Sequence, residues 1–313
     1  MKKRQNLNCR FLAGIVVIAA LAGAAYATEN GATVFPVGVE TVLTGMQPPP
    51  GHTEFYEFSC FYGANEFDNS RGKSSIPEFK LRVLATAVKA THNWGFRFLG
   101  GTVDSQIAIP LIYQQLHVPP GKFSKYSIGN VDLIPVSVTN NRGAFHWYYE
   151  ADLFTPGSGY SAGDVLNVGQ HNTAIAPVAG FTFLPQQGKV EISSRYTYIL
   201  NGYDKATHYH SGNEFMWEYN VDRQVTRKMA LGFNGYFYKQ TTDDFQNGAI
   251  FADGFRGRDL AVGPQVRFPL TKHGGFAVKY YRDTLVQNKP RGNALWFQLA
   301  VPVGIPHDRD VNR

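Results

Sequence analysis

Residue character switches at every step along blocks of about ten residues, and this period-2 pattern constrains the fold more than any other feature. "NEFMWEYNVD", Asn213 to Asp222, is a clear case. Phe215, Trp217, Tyr219 and Val221 form one set, and Glu214, Met216, Glu218, Asn220 and Asp222 form the other. A β-strand sends two such sets to opposite faces. One face is then aromatic and apolar, and the other carries three carboxylates. Blocks 144–155, 189–201 and 258–270 divide in the same way.

Twelve blocks read as strands: roughly 54–62, 78–90, 96–113, 126–139, 144–155, 173–185, 189–201, 213–223, 229–241, 258–270, 275–285 and 293–303. Helical periodicity is scarce. Gly100-Gly101, inside the third block, reads as a bulge or bend. The connections fall into two kinds. Those after even-numbered strands are short ("HNWG", "NNRG", "PQQG", "VTRK", "TKHGG"). Those after odd-numbered strands are mostly long ("ANEFDNSRGKSSI", "HVPPGKFSK", "PGSGYSAGDVLNVGQHN", "GYDKATHYHSG", "TDDFQNGAIFADGFRGR", "VQNKPRG"). In an up-and-down meander alternate connections share one end. Short periplasmic turns and long outer loops are the mark of an outer-membrane barrel. A β-sandwich core would alternate too, but sandwich strands usually have about five or six residues. Strands of about nine or more cross a bilayer at a tilt. The fold expected is therefore all-β: a transmembrane antiparallel up-and-down β-barrel of twelve strands.

The N-terminus reads as an export signal. Lys2, Lys3, Arg4 and Arg10 precede and flank the apolar run Phe11 to Ala25, and Ala25-Tyr26-Ala27 fits a small-x-small cleavage site. The run is short for a membrane span of about 20 residues. Cleavage after Ala27 removes four basic residues and no acidic one, so the net charge falls from +6 to +2. A nucleic-acid partner thereby loses its main support. Cys9 also leaves, so Cys60 stands alone, which excludes an internal disulfide and a cysteine zinc cluster. The chain divides into 1–27 (signal peptide), 28–53 (an N-terminal periplasmic segment or plug), 54–303 (barrel) and 304–313 (a polar tail).

If the charged faces look inward, Lys80, Arg82, Glu150, Asp152, Glu191, Arg195, Glu214, Glu218, Asp222, Arg267 and Lys279 face the lumen. Their mixed signs suit cross-strand pairing in a narrow interior. Aromatic girdles at the membrane interfaces are expected from Trp94, Tyr113, Trp147, Tyr198, Tyr238 and Tyr281. Segment 28–53 carries Val34, Phe35, Val37, Val39, Val42 and Leu43 ahead of Pro48-Pro49-Pro50. So many apolar residues suit a plug that enters the barrel and touches the lumen or the substrate, rather than a solvated leader.

Chemistry-bearing clusters are few. His208, His210, Ser211, Asn213 and Glu214 lie within one loop-to-strand stretch, and Asp243, Asp244, Asp253 and Asp259 lie on or beside a long loop. Neither has the spacing of a metal or nucleophile site, so no metal and no cofactor is expected. Solvated loop polarity accounts for both. Lys73, Arg71, Arg256 and Arg258 could meet lipid phosphates.

The pieces "GATVFPVGVETVLTGMQPPPG" (31–51), "FKLRVLATAVKATHNWGFRFLGG" (79–101), "YSIGNVDLIPVSV" (126–138), "YEADLFTPGSGY" (149–160), "YILNGYDKATHYHSGNEF" (198–215) and "DLAVGPQVRFPL" (259–270), in this order, resemble the phenol meta-pathway degradation-like proteins, the SphA type included. The resemblance spans nearly the whole chain after Ala27. It implies an outer-membrane barrel, in a Gram-negative cell, linked to breakdown of aromatic or lipidic compounds. The implied role is passive passage of small hydrophobic molecules and not catalysis, and no catalytic residues are carried over. The partners expected are small hydrophobic solutes, outer-membrane lipid and lipopolysaccharide. A structural or adhesion barrel, and a lipid-modifying barrel enzyme, are the alternatives.

Overall fold

The computed structural model describes residues 31–119, 121–270 and 274–303. The expected signal peptide and polar tail lie outside the described residues. The chain forms β1 (Thr53–Asp68), β2 (Lys80–Phe98), β3 (Gly101–Val118), β4 (Gly121–Ile128), β5 (Asp132–Arg142), β6 (Phe145–Phe154), β7 (Ala174–Phe183), β8 (Val190–Asn201), β9 (Tyr203–Asp204), β10 (Tyr209–His210), β11 (Glu214–Thr226), β12 (Met229–Gln240), β13 (Phe245–Gln246), β14 (Ala249–Ile250), β15 (Arg258–Pro269), β16 (Gly275–Asp283) and β17 (Lys289–Val303). Every pairing is antiparallel between neighbours, and β1 pairs with β17 from Thr53↔Val303 to Asp68↔Lys289, which closes the ring. The result is a closed barrel of twelve staves. One stave is shared: β3 pairs with β4 along Leu111–Val118 and with β5 along Thr102–Ala108. The two-residue strands β9, β10, β13 and β14 make a small separate sheet in the long loops.

Closure leaves no backbone edge along the twelve-stave ring, which is what a hydrocarbon surrounding demands. The faces divide as the alternation dictates. On β11, Glu214, Met216, Glu218, Asn220 and Asp222 are buried inside, while Trp217 and Val221 stand on the outer surface. Leu84, Val88, Ile109, Leu231, Phe233 and Val262 continue the outer apolar band.

Two turns differ from expectation. "HNWG" is not a turn but an irregularity inside β2, where the β2–β3 register shifts between Asn93 and Arg97 and Gly95 takes φ +77°. The chain reverses instead at Leu99 and Gly100, which have φ +47° and +86°. The type I′ hairpin turn has positive φ at both central positions, and Gly100 supplies one of them without strain. The turn and the bulge thus exchange places. At the other end "HVPPGKFSK" is not a long loop. β3 runs on to Val118 and β4 returns from Gly121, as a tall hairpin.

Candidate functional site: an apolar chamber over a stitched floor

Twelve staves enclose more space than wall side chains alone fill, whereas about eight leave an interior just wide enough for them. The N-terminal segment occupies that space. Residues 31–52 have no regular secondary structure. They run from Gly31, bonded to Lys289 Nζ at the loop end of β17, down to Pro48, bonded to Asn93 near the turn end of β2. Val34, Phe35, Val39 and Val42 are buried, and Val37 and Leu43 are half-buried. Val34, Phe35 and Val39 pack into one cluster with Ala176, Tyr236 and Trp296 from the wall.

A coil has no ladder to satisfy its own N–H and C=O groups, so inside a barrel its partners must be wall side chains. The inward charges meet that need. Glu218 Oε1 accepts from the Gly38 N–H at 2.8 Å and the Glu40 N–H at 3.3 Å. Lys279 Nζ donates to the carbonyls of Gly38 (3.0 Å) and Val39 (2.7 Å), and Tyr281 Oη donates to Gly38. Glu191 Oε1 accepts from Leu43 N–H at 2.6 Å, and Thr182 Oγ1 accepts from Gly45 N–H at 2.9 Å.

The same charges pair with one another. Arg195, 1% exposed, donates to Asp152 at 2.8 Å and lies 3.6 Å from both Glu150 and Glu218 and 3.7 Å from Glu40. Its guanidinium also covers the Phe35 ring at 4.4 Å. Glu40, a residue of the N-terminal segment, pairs with Lys89 of β2 at 2.6 Å. Arg267 binds Asp222 at 2.8 Å and Glu191 at 3.1 Å. Glu214 accepts from Asn201 nearer the loop end. Glu150, Asp152, Glu191, Arg195, Glu214, Glu218, Asp222, Arg267 and Lys279 therefore all lie inside, as one polar network around the segment.

Lys80 and Arg82 do not. Both are exposed on the outer face near the loop end, and Arg82 donates to the Ala64 carbonyl and to Asn65 Oδ1. Leu81, Val83 and Ala85 take the inner face. β2 is apolar on both faces, with Leu84 and Val88 outside, so its charges gave a false orientation. Its inward cation is Lys89. Tyr238 and Tyr281 are corrected in the same way. They are buried inside, Tyr238 under Lys289 Nζ at 4.1 Å, and are not girdle residues. Adjacent aromatics such as Phe237-Tyr238 and Tyr280-Tyr281 put one ring on each face, and residue type alone cannot choose between them.

Above this floor lies a chamber of about 1090 Å³. Val34, Val37 and Val39 of the segment, Trp296 and Phe58 border it below. Leu81, Val83, Ala85, Ile112 and Leu116 line one wall, and Ile76, Val165, Leu166, Phe251 and Phe255 come from the long loops. Its lining is predominantly apolar, as in ligand pockets, and its size lies at the top of their usual range of roughly 300–1,000 Å³.

The loop clusters are tied into the loops by hydrogen bonds and ion pairs. Asp244 accepts from Tyr209, Gly212 N–H and Gln240, and burial raises its carboxyl above the ordinary value despite those bonds. Asp204 is paired with His171 at 2.9 Å. Burial alone would raise Asp204, but bonds from His171, Ala206 N–H and Thr207 hold it below its ordinary value. Asp243 pairs with Arg256, and His210 Nε2 bonds the Asn201 carbonyl. Among the described residues no group of His, Cys, Asp and Glu could hold a metal ion. Gly159-Tyr160-Ser161-Ala162-Gly163 has the G-x-S-x-G spacing. It lies in a loop rather than on a strand-to-helix turn, and no hydrogen bond joins Ser161 to the nearby His171.

The family model described as MetA-pathway of phenol degradation matches residues 64–299. No curated protein sequence matches the chain. The COG4313 outer membrane channel from Pseudomonas putida F1 superposes with a TM-score of 0.69 at 15% identity, over 82% of this chain and 97% of that one. The NanC porin (TM-score 0.41, 10% identity, 79% and 97% covered) and the transport unit of the autotransporter AIDA-I from Escherichia coli (0.46, 10%, 88% and 98%) are more distant. The fold is thus that of an outer-membrane barrel, and with the model matched over most of its length the chain belongs to the MetA-pathway of phenol degradation family.

Proposed function

We propose that the protein sits in the outer membrane of a Gram-negative cell and passively passes small hydrophobic compounds, aromatic or lipid-like, toward their catabolism. The observation that carries this reading is the apolar chamber of about 1090 Å³ at the loop end of the lumen. An open water-filled pore would not line its mouth with Leu81, Val83, Ile112 and Leu116. Solute gathers there by burying apolar surface, at roughly 25 cal/mol per Å². The stitched N-terminal segment then acts as the gate toward the periplasm. Outward Lys80 and Arg82, near the loop end, meet lipopolysaccharide phosphates. The barrel works by passage and not by catalysis.

The test is to fill the chamber. Ala85→Trp and Ala294→Trp add an indole to its lining. Both variants are expected to keep the folded-barrel gel mobility and to lose uptake of a hydrophobic solute by proteoliposomes. Uptake at the wild-type rate with the chamber filled would refute the reading. Ser161→Ala and His210→Ala should leave uptake unchanged, and a lipid-hydrolysing activity abolished by either would instead establish the enzyme.

A further inference from the structure

Each stave of the ring is paired on both sides, with register shifts at Asp104/Gln106 and Leu133/Ser137, whereas the tall hairpin above it is paired on one side only. β4 is hydrogen-bonded to β3 on one side only. Its other neighbour, β6, ends at Phe154 opposite Asp132, below the point where β4 begins. Among the described residues no strand pairs with that second edge of β4. The 155–173 loop lies against it instead, held by side chains. Lys125 Nζ bonds Asp164 at 2.6 Å and Asn167 at 2.9 Å, Ser127 Oγ meets Ser158 Oγ at 3.2 Å, and Ser158 donates to the Ile128 carbonyl at 3.1 Å.

The outer face of this hairpin locates the membrane boundary. Ile128 and Tyr126 are exposed and pair across to Leu111 and Tyr113, which are also outward and apolar. The next outward residues of β4 are Ser124 and Lys122, paired with Gln115 and His117. The hydrocarbon therefore ends between Tyr126 and Ser124, with tyrosine at the interface as its amphipathic ring prefers. An unladdered edge is not tolerated in lipid, but is tolerated beside a cavity or at the wet headgroup layer. On the inner side Phe123 and, from the loop, Tyr160, Val165 and Leu166 line the chamber.

We propose that the seam between β4 and the 155–173 loop is a second mouth of the chamber, through which hydrophobic solute exchanges with the hydrocarbon of the outer leaflet. The inference rests on the chamber being the solute site proposed above. The seam opens by parting the bonds of Lys125 to Asp164 and Asn167 and the two bonds of Ser158, while Asn130, bonded to Thr155 and Gln170, holds its base. Opening the floor requires breaking the many bonds of the N-terminal segment. A strongly hydrophobic solute thus moves between chamber and membrane without crossing water.

Ser127 and Ser158 provide the lock, since their hydroxyl oxygens lie within reach of a disulfide once both are cysteine. The protein is Ser127→Cys/Ser158→Cys in a Cys60→Ala background, with Trp94, Trp147 and Trp217 changed to Phe, so that chamber-lining Trp296 is the sole reporter. It is reconstituted in liposomes whose bilayer contains a small bromoalkane as a short-range quencher. Trp296 should be quenched in the reduced protein, lose quenching on oxidation and regain it on reduction. Lys125→Ala, with both serines intact, should be quenched faster. If the oxidised protein is quenched as fast as the reduced one and Lys125→Ala changes nothing, the seam is overturned while the solute site stands. If the reduced protein is not quenched at all, the chamber takes no hydrophobic solute, and both readings fall.

Discussion

At the residue scale the interior is governed by a cost. A charge taken out of water and left unpaired destabilises far more than a paired one stabilises. Arg195 is the sharpest case, because Glu40, Glu150, Asp152 and Glu218 converge on it. Arg195→Ala leaves those carboxylates facing one another and is expected to cost about 3–5 kcal/mol. The readout is the temperature at which the compact detergent-resistant gel band converts to the unfolded one, which should drop clearly. Arg195→Lys should recover only part of the loss, since a point ammonium cannot replace the planar fork that reaches several acceptors. Arg82→Ala is the control: on the outer face it should change stability by no more than about 0.5 kcal/mol. An Arg82 variant as damaged as the Arg195 variant would put β2 the other way round.

At the element scale the N-terminal segment is the part that fills the lumen. Gly45 passes so close to the wall that a Cβ there would meet Thr182 N at 2.5 Å and the His146 carbonyl at 2.7 Å, both backbone atoms that cannot swing aside. Gly45→Val should therefore lift the lower part of the segment from the wall and raise single-channel conductance, and deletion of 31–50 should raise it further. Unchanged conductance in the deletion would mean that the segment does not close the lumen. Much of this element was legible: an aliphatic-rich coil ahead of the first strand has to bury itself somewhere. Its path was not, because a coil has no period to read, and its partners come from residues far apart in sequence, such as Glu191, Glu218 and Lys279. The strands were legible where one face is polar, as in β11, and misread where both faces are apolar, as in β2. The turn at Leu99-Gly100 was missed because one of its two positive-φ positions is a leucine.

At the scale of the whole molecule, a closed ring carries its stability in the ladder. Every stave is paired on both sides, and β1–β17 closes the ring over the full length of β1. Opening one ladder exposes two edges at once, so detergent cannot fray the barrel one strand at a time. The unheated protein extracted in detergent should therefore migrate differently from the boiled protein and should fractionate with the outer membrane. A chain of the same composition folded as a sandwich would bury its apolar faces against each other. It would be recovered from the periplasm in soluble form and would show no heat-dependent shift. The outward row of Leu84, Val88, Trp217, Val221, Leu231 and Phe233 decides between the two. Those side chains would be an aggregation hazard in water and are ordinary in lipid. Placing a lysine at one of them separates the cases quantitatively. Phe233→Lys, 66% exposed in the native barrel, should cost about 2–4 kcal/mol if that position lies near the bilayer midplane and less toward either interface. On a water-facing surface the same change would be close to neutral. A scan of lysines along β12 and β15, read by the gel-shift temperature, should trace a dip about 25 Å tall, the height of the outer apolar band. A flat profile would remove the membrane from around the barrel, and with it the chamber's role in carrying solute across.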